Sequence, residues 1–517
     1  MTRRIGIGYL APRNVAYSSL FFRFLKHMLR VNNVYAGTYF LDDDIELEDT
    51  RSSPAKLDAL FVSLPYEIMY RDLVEFYNKT SIMPYRSKAD DNLIVIGGGP
   101  AVTANPLPVL DFLDVILVGE IEEVFDDIIS ILSERTSKTT KLKKLAELRG
   151  VIVPRLELEI EKQVERIYTR DLDKYTVVFD QKLPPEVEPV WGRSYAIESS
   201  RGCGRGCRFC MEGFIFRPKR DRSFHTLKNL IDNAREQGYN KISFYSLAFF
   251  DNPDAEKALE YAVSMGYEVS VPSIRAETIT ERRLELIKEG GQKTLTIAPE
   301  TASCRLCNAI NKRIGKDLVL EIIEKMLGIG LRQVKMYIMV GFPGETEDDI
   351  SEIISLIRES SLLLAKAGGK LKISINQFMP KPVTPLQWAP LKDYLATRKI
   401  IRLIGKEARK IGAEASWYDP RWARIQTILS RGDREVSKII YSWARHGKGL
   451  GAFRRAVRES GIDPEKYLAE WPATFDPPWH KIIRHPYASL KLLRREYEIF
   501  QDIISQNNGS SLRLLKR

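Results

Sequence analysis

The chain has 517 residues, which is more than one typical domain, with 44% hydrophobic residues, enough for sizeable cores. Its five cysteines are too few for a disulfide framework and point to a reducing compartment. The formal net charge of +11 is concentrated at the end: residues 401–517 carry 23 Lys/Arg against 13 Asp/Glu.

In chain order, Arg4-Ile-Gly-Ile-Gly-Tyr9 reads as a buried strand and Ser18 to Leu29 as a helix. Asp58-Ala-Leu-Phe-Val-Ser63, Leu93-Ile-Val-Ile96 and Asp114-Val-Ile-Leu-Val118 are further short apolar strands separated by helical stretches. This alternation predicts a doubly wound parallel sheet over residues 1–149. Gly97-Gly-Gly-Pro100 closes one strand and Gly119-Glu120 the next, at the strand ends where such sheets bind ligands, so Gly97 and Gly98 are candidate cofactor contacts. Residues 150–192 alternate apolar and polar over Val151-Ile-Val153, Leu156 to Ile160 and Ile167-Tyr-Thr, predicting a small strand pair, and end in the proline-rich linker Leu183 to Val190. From 193 to 392 six strand–helix units follow one another, which predicts a partial (β/α)6 barrel with its active residues at the C-terminal strand ends. Residues 393–517 read as a basic, mainly helical module. Its charge suits either an anionic partner such as RNA or an ordinary ion-paired helical surface. No segment approaches the ~20 uninterrupted apolar residues of a membrane span, so membrane insertion is not expected and a cytoplasmic location is.

Directly after the strand-like Tyr195 to Ser200 stands Cys203-Gly-Arg-Gly-Cys207-Arg-Phe-Cys210. Three thiolates hold three corners of a cuboidal iron–sulfur cluster and leave its fourth iron open to a small molecule. The competing reading is structural zinc, which wants a fourth ligand; His225 is the only nearby histidine. The x3–x2 spacing, with an aromatic before the third cysteine, resembles the signature of the radical S-adenosylmethionine (SAM) superfamily.

That resemblance implies a 4Fe-4S cluster on Cys203, Cys207 and Cys210, with SAM chelating the open iron and cleaved to a deoxyadenosyl radical. It also implies a reductant such as a ferredoxin or flavodoxin, and radical modification of an unactivated C–H bond, methylation included. By position it maps SAM contacts onto Phe209, beside the adenine, Ser246 at the second strand end, and Ser273 and Arg275 in Pro272-Ser-Ile-Arg275 near the ribose. Glu300 in Ala298-Pro-Glu300 falls near the ribose and methionyl group, and Gly341 in Val340-Gly-Phe-Pro-Gly344 near the adenine. The alternative, from a different class, is an iron–sulfur electron-transfer or cluster-carrying protein without SAM turnover.

The N-terminal region resembles the cobalamin-binding-like domain that precedes the barrel in many members, over Ile94 to Asn105 and Val118-Gly-Glu120. The Asp-x-His-x-x-Gly loop that brings a histidine to cobalt is missing, and the region's only histidine, His27, lies in a predicted helix. Either cobalamin binds without a protein histidine or the domain is structural. Phe378 to Trp388 is similar to a segment of the methylthiotransferases, but no cysteine precedes Cys203 to hold their second cluster. Cys304 and Cys307 depart from the subfamily pattern. Spaced i, i+3 on a helix, they either bind metal or relay a radical at the cleft, or join Ile310 on a buried face.

Overall fold

The structure, a computed structural model, describes residues 4–156, 163–175, 178–272 and 274–506. The segment expected as the second half of a strand pair, Leu156 to Ile160, falls mostly outside the described residues. The N-terminal apolar runs form β1 (Ile5–Tyr9), β2 (Tyr35–Leu41), β3 (Ile45–Glu48), β4 (Ala59–Ser63), β5 (Ile94–Gly98), β6 (Val115–Leu117) and β7 (Val151–Ile152). They lie in the order β3-β2-β1-β4-β5-β6-β7. The five central strands are parallel, and β3 and β7 close the edges in antiparallel fashion. The parallel order 2-1-4-5-6 is that of a doubly wound sheet, with its switch point between β1 and β4.

Both faces of this sheet are covered, which explains why its strands are apolar on both sides. One face packs on the helices Leu20–Val31 and Phe125–Ser133 through Phe22, Leu25, Phe125 and Ile128. The other takes Leu73 and Phe76 of the helix Met69–Thr80 together with Ile428, Ile439 and Trp443 of the C-terminal helices. The C-terminal module therefore forms one layer of the N-terminal domain. Val151–Ile152, expected in a separate strand pair, instead extends this sheet beside β6. β8 (Val164–Glu165) pairs in parallel with a two-residue strand near the chain's end.

The second sheet begins at β9 (Tyr195–Glu198). The hairpin β10 (Ser200–Arg201) and β11 (Arg220–Asp221) brackets the three cysteines. Then come β12 (Lys241–Tyr245), β13 (Glu268–Ser270), β14 (Thr294–Glu300), β15 (Gln333–Val340) and β16 (Lys370–Gln377), each preceded by a helix. All pair in parallel, in the orders β13-β12-β9 and β14-β15-β16-β17, where β17 is Glu414–Trp417. A single bridge, Ile274 to Ile297, joins the two halves across the β13–β14 seam. The six expected units are present, and β17, reached over the helix Tyr394–Lys410, adds an edge strand from within the segment expected to be mainly helical. The last strand, β18 (Ile483–Arg484), is the partner of β8. Among the described residues no helix is long and apolar enough to cross a membrane.

Candidate iron–sulfur and cofactor site

The cysteine loop leaves β10 and is shaped by glycines. Gly202 has φ +84°, and a Cβ there would collide with the carbonyl of Phe216. The Cys210 amide donates to the Cys207 carbonyl at 3.1 Å, and the Gly213 amide to Cys210 Sγ at 3.4 Å. The loop is braced from outside by a segment a hundred residues away. Arg208 receives support on both sides, its amide donating to the Ile310 carbonyl at 2.9 Å and its guanidinium to Ala309 at 2.6 Å. The Asn311 amide group donates to the Gly206 carbonyl at 3.1 Å.

Cations surround the sulfurs. Arg275 Nη1 donates to Cys207 Sγ at 3.8 Å, and Arg205, Arg217 and Lys312 all feel the thiolate charge. Burial, reinforced by Cys207, pushes the free Cys210 thiol up to about 12, so it needs a strong Lewis acid to ionise. Once ionised, the collar of positive charge offsets the negative thiolates. Among the described residues no three His, Cys, Asp or Glu side chains are gathered round one point as ligands of a single ion are. A donor set of three loop thiols under a cationic collar fits an iron–sulfur cluster.

Around this loop the structure brings together most of the residues expected at strand ends. Phe209 meets Phe342 edge-on at 6.0 Å, and Phe342 stacks on Phe378 at 5.0 Å, an apolar wall beside the third cysteine. Glu300 ends β14 in the left-handed region, φ +69°, past a register shift from Ile297, and pairs with Lys312 at 3.1 Å. Lys312 Nζ stands 5.8 Å from the Phe209 ring centre. Burial works against the Lys312 charge, but Glu300 and the Cys207 sulfur outweigh it and raise its pKa. Arg275 is bound to Glu277 at 2.5 Å as well as facing Cys207. Gly341 takes φ +87° at the end of β15, its amide donating to Glu345 Oε2 at 2.8 Å. Ser246, just past the end of β12, lies beside Ser200, the two hydroxyls 2.5 Å apart. Ser273 lies outside the described residues.

Cys304 and Cys307 separate. Cys307 is buried, its thiol donating to the Ile314 carbonyl at 3.0 Å, and burial raises it to about 12; Cys304 is exposed. They do not share one buried face. Lys312 and Asn311 carry more of the site than sequence reasoning assigned them. No local pattern singles them out, because each acts on a loop about a hundred positions earlier in the chain.

Gly97 and Gly98 face a separate cavity of about 480 Å³ between the two sheets. Its walls are the carboxyl ends of β1, β4, β5 and β6 on one side and of β9 and β12 on the other, through Tyr9, Ser63, Gly98, Gly119, Glu198 and Tyr245. A Cβ on Gly98 would meet only Leu117, at 3.6 Å, whereas one on Gly99, φ +126°, would lie 2.7 Å from the Leu64 carbonyl oxygen. Gly97 is small because Leu113 occupies the space where its Cβ would stand. The wall is mostly apolar, with a charged edge. Glu120 Oε2 accepts from Arg201 at 2.8 Å and from Arg220 at 2.9 Å, tying β6 to the cysteine hairpin. No histidine lines the cavity among the described residues, and His27 packs against Phe179 instead.

Family models for the radical SAM superfamily and for radical SAM proteins' N-terminal region match residues 197–357 and 45–154. An uncharacterized protein of Methanocaldococcus jannaschii is 30% identical over 80% of this chain and 85% of its own length. An uncharacterized methyltransferase of Pyrococcus horikoshii is 24% identical over 63% of this chain and 68% of its own. Among solved structures, the radical S-adenosylmethionine methyltransferase TsrM of Kitasatospora setae, described with cobalamin and a [4Fe-4S] cluster bound, is 12% identical. It superposes with a TM-score of 0.55 over 89% of this chain and all of that one, a likeness of fold.

Proposed function

From the premise that this chain belongs to the radical SAM superfamily, we propose that it modifies an unactivated C–H bond of an anionic substrate, RNA included, by methylation. The observation that carries the reading is the cysteine loop, braced by Ile310 and Asn311 and ringed by Arg205, Arg217, Arg275 and Lys312. When bound, the family's 4Fe-4S cluster and SAM supply an electron and a carbon radical able to remove a hydrogen atom.

The chain's own residues do the rest. Cys203, Cys207 and Cys210 are the residues that would hold the cluster by three thiolates. Phe209 and Phe342 offer an apolar face for a flat base, shielding it from water. Glu300 presents a carboxylate to hydroxyl or amine groups, and its ion pair with Lys312 fixes its orientation. Gly341, with no side chain, lets a ligand reach the backbone. A reductant delivers the electron, and we propose a ferredoxin or flavodoxin for that role.

Methylation is favoured by the second cavity. Its place at the carboxyl ends of both sheets, its apolar wall and the bare edge of Gly98 suit a flat macrocycle such as a corrin. A cobalamin there would receive no protein imidazole. The anionic substrate is supported by the excess of 23 cationic over 13 acidic residues in 401–517.

The test is anaerobic reconstitution followed by iron, sulfide and 5′-deoxyadenosine analysis. About four irons per chain are expected, with cluster and SAM cleavage lost together in the C203A/C207A/C210A variant. Iron content unchanged in that variant would refute the assignment.

A further inference from the structure

Another cavity, about 460 Å³, opens between three helices of the C-terminal region: Tyr394–Lys410, Pro420–Arg431 and Leu450–Ser460. None of its lining residues belongs to the cysteine loop or to the cavity beside Gly98. Its floor is apolar, made by Ile425, Ile428, Leu450, Phe453 and Val457, and half-exposed Leu395 stands at the edge. Five arginines line the cavity, Arg398, Arg421, Arg424, Arg454 and Arg458, beside the neutral Tyr394 and Pro464, with no acidic residue in the lining.

Several other arginines of this region are held in ion pairs. Arg455, on the same helix as Arg454, holds Glu459 at 2.9 Å, and Arg434 holds Asp111 at 2.6 Å. At the cleft, Arg421 is paired with Asp419 at 2.6 Å and Arg424 with Glu465. Among the described residues Arg454 and Arg458 have no carboxylate partner, and Arg398 makes no close ion pair, acting on Asp419 only from a distance. Guanidiniums from two helices thus face one concavity, and Leu395, Leu450 and Val457 of its apolar wall are partly exposed, with Ile425, Ile428 and Phe453 buried behind them. Neither feature stabilises the fold. One ligand suits both: a compact anion for the fork-like guanidiniums and an apolar body for the wall. The charge converges on a pocket and does not run along a stripe, which suits a compact ester better than a polynucleotide backbone.

We propose that this cleft binds an organophosphate, its phosphate held by Arg398, Arg454 and Arg458 and its hydrocarbon body seated on Leu395, Leu450 and Val457. The site is distinct from the radical centre and does not depend on the reaction proposed above.

The test is calorimetric titration of the full-length, cluster-reconstituted protein with octyl phosphate, octanol and inorganic phosphate, and with a short single-stranded RNA. Octyl phosphate should bind one to one, about tenfold or more tighter than octanol or inorganic phosphate. Reversal in R454E/R458E, and charge removal in R398Q/R454Q, should each weaken it by about tenfold with iron content unchanged. Absence of octyl phosphate binding, binding indifferent to these changes, or RNA binding tighter through the same arginines would each overturn the proposal. Co-sedimentation with vesicles of phosphatidylcholine and phosphatidic acid, competed by octyl phosphate, would support the cleft with a membrane lipid as the source. Octyl phosphate binding without co-sedimentation would support it with a soluble ester.

Discussion

Glu300 is held where few non-glycine residues rest. A left-handed backbone costs roughly 1–2 kcal/mol for a side chain with a Cβ, and φ +69° persists here because the β14 register shift and the Lys312 pair hold it. Both side chains are about nine-tenths covered, so removing one charge strands the other. Glu300→Gln should therefore lower the free energy of unfolding by about 3 kcal/mol, read in thermal melts, while adding Lys312→Met to it should recover part of the loss. The pair also has a pH signature. Lys312 has its pKa raised above the usual lysine value, so its stabilising contribution is complete below that ordinary value and lost as pH rises through the higher folded one. A loss below about 0.5 kcal/mol in the single variant would mean that solvent screens the pair and that other contacts hold the backbone.

At the level of elements, the helix Glu347–Lys366 begins where β15 delivers Gly341 to the site. Thr346 caps it, accepting from the Asp349 amide, and Asp349 in turn accepts from the Thr346 amide at 2.8 Å. Arg305, from the short helix Cys304–Ala309, reaches both Asp349 and the Gly344 carbonyl. The cap thus links the two loops that follow β14 and β15. Thr346→Ala should cost about 1 kcal/mol and lower the melting temperature, while Thr346→Ser keeps most of it. Iron content should match wild type in both, since the cysteines lie on another hairpin. A wild-type melting temperature for Thr346→Ala would show that Arg305 alone anchors the helix.

For the whole molecule, the consequence of the architecture is that two sheets point their carboxyl ends at one cavity. Gly98 is the position at which that cavity can be closed without disturbing either core, because its Cβ direction is free of close neighbours. Gly98→Leu should leave the iron content and melting temperature unchanged and abolish retention of hydroxocobalamin in equilibrium dialysis, by steric overlap. Gly99→Leu, at φ +126° against the Leu64 carbonyl, should instead destabilise the sheet. Equal cobalamin retention by wild type and Gly98→Leu would place the corrin elsewhere; none by wild type would make the domain structural.

What the chain's order determined by itself is whatever depends on near neighbours. The cysteine spacing, the alternation of short apolar runs with helices, and the glycines ending β5 and β15 are local, and each appears in the structure where periodicity put it. The i, i+4 spacing of Arg454 and Arg458 already placed them on one helix face. Tertiary structure alone decided the rest, because it depends on pairings across long separations that no local pattern encodes. β7 joined the first sheet and β17 the second because each found an open edge. Cys304 turned outward and Cys307 inward because one helical turn crosses the boundary between solvent and core. Arg398, Arg421 and Arg424 meet Arg454 only because three helices pack around one floor. The cationic collar likewise assembles from Arg205, Arg217, Arg275 and Lys312, residues spread over a hundred positions and gathered by the curvature of one parallel sheet.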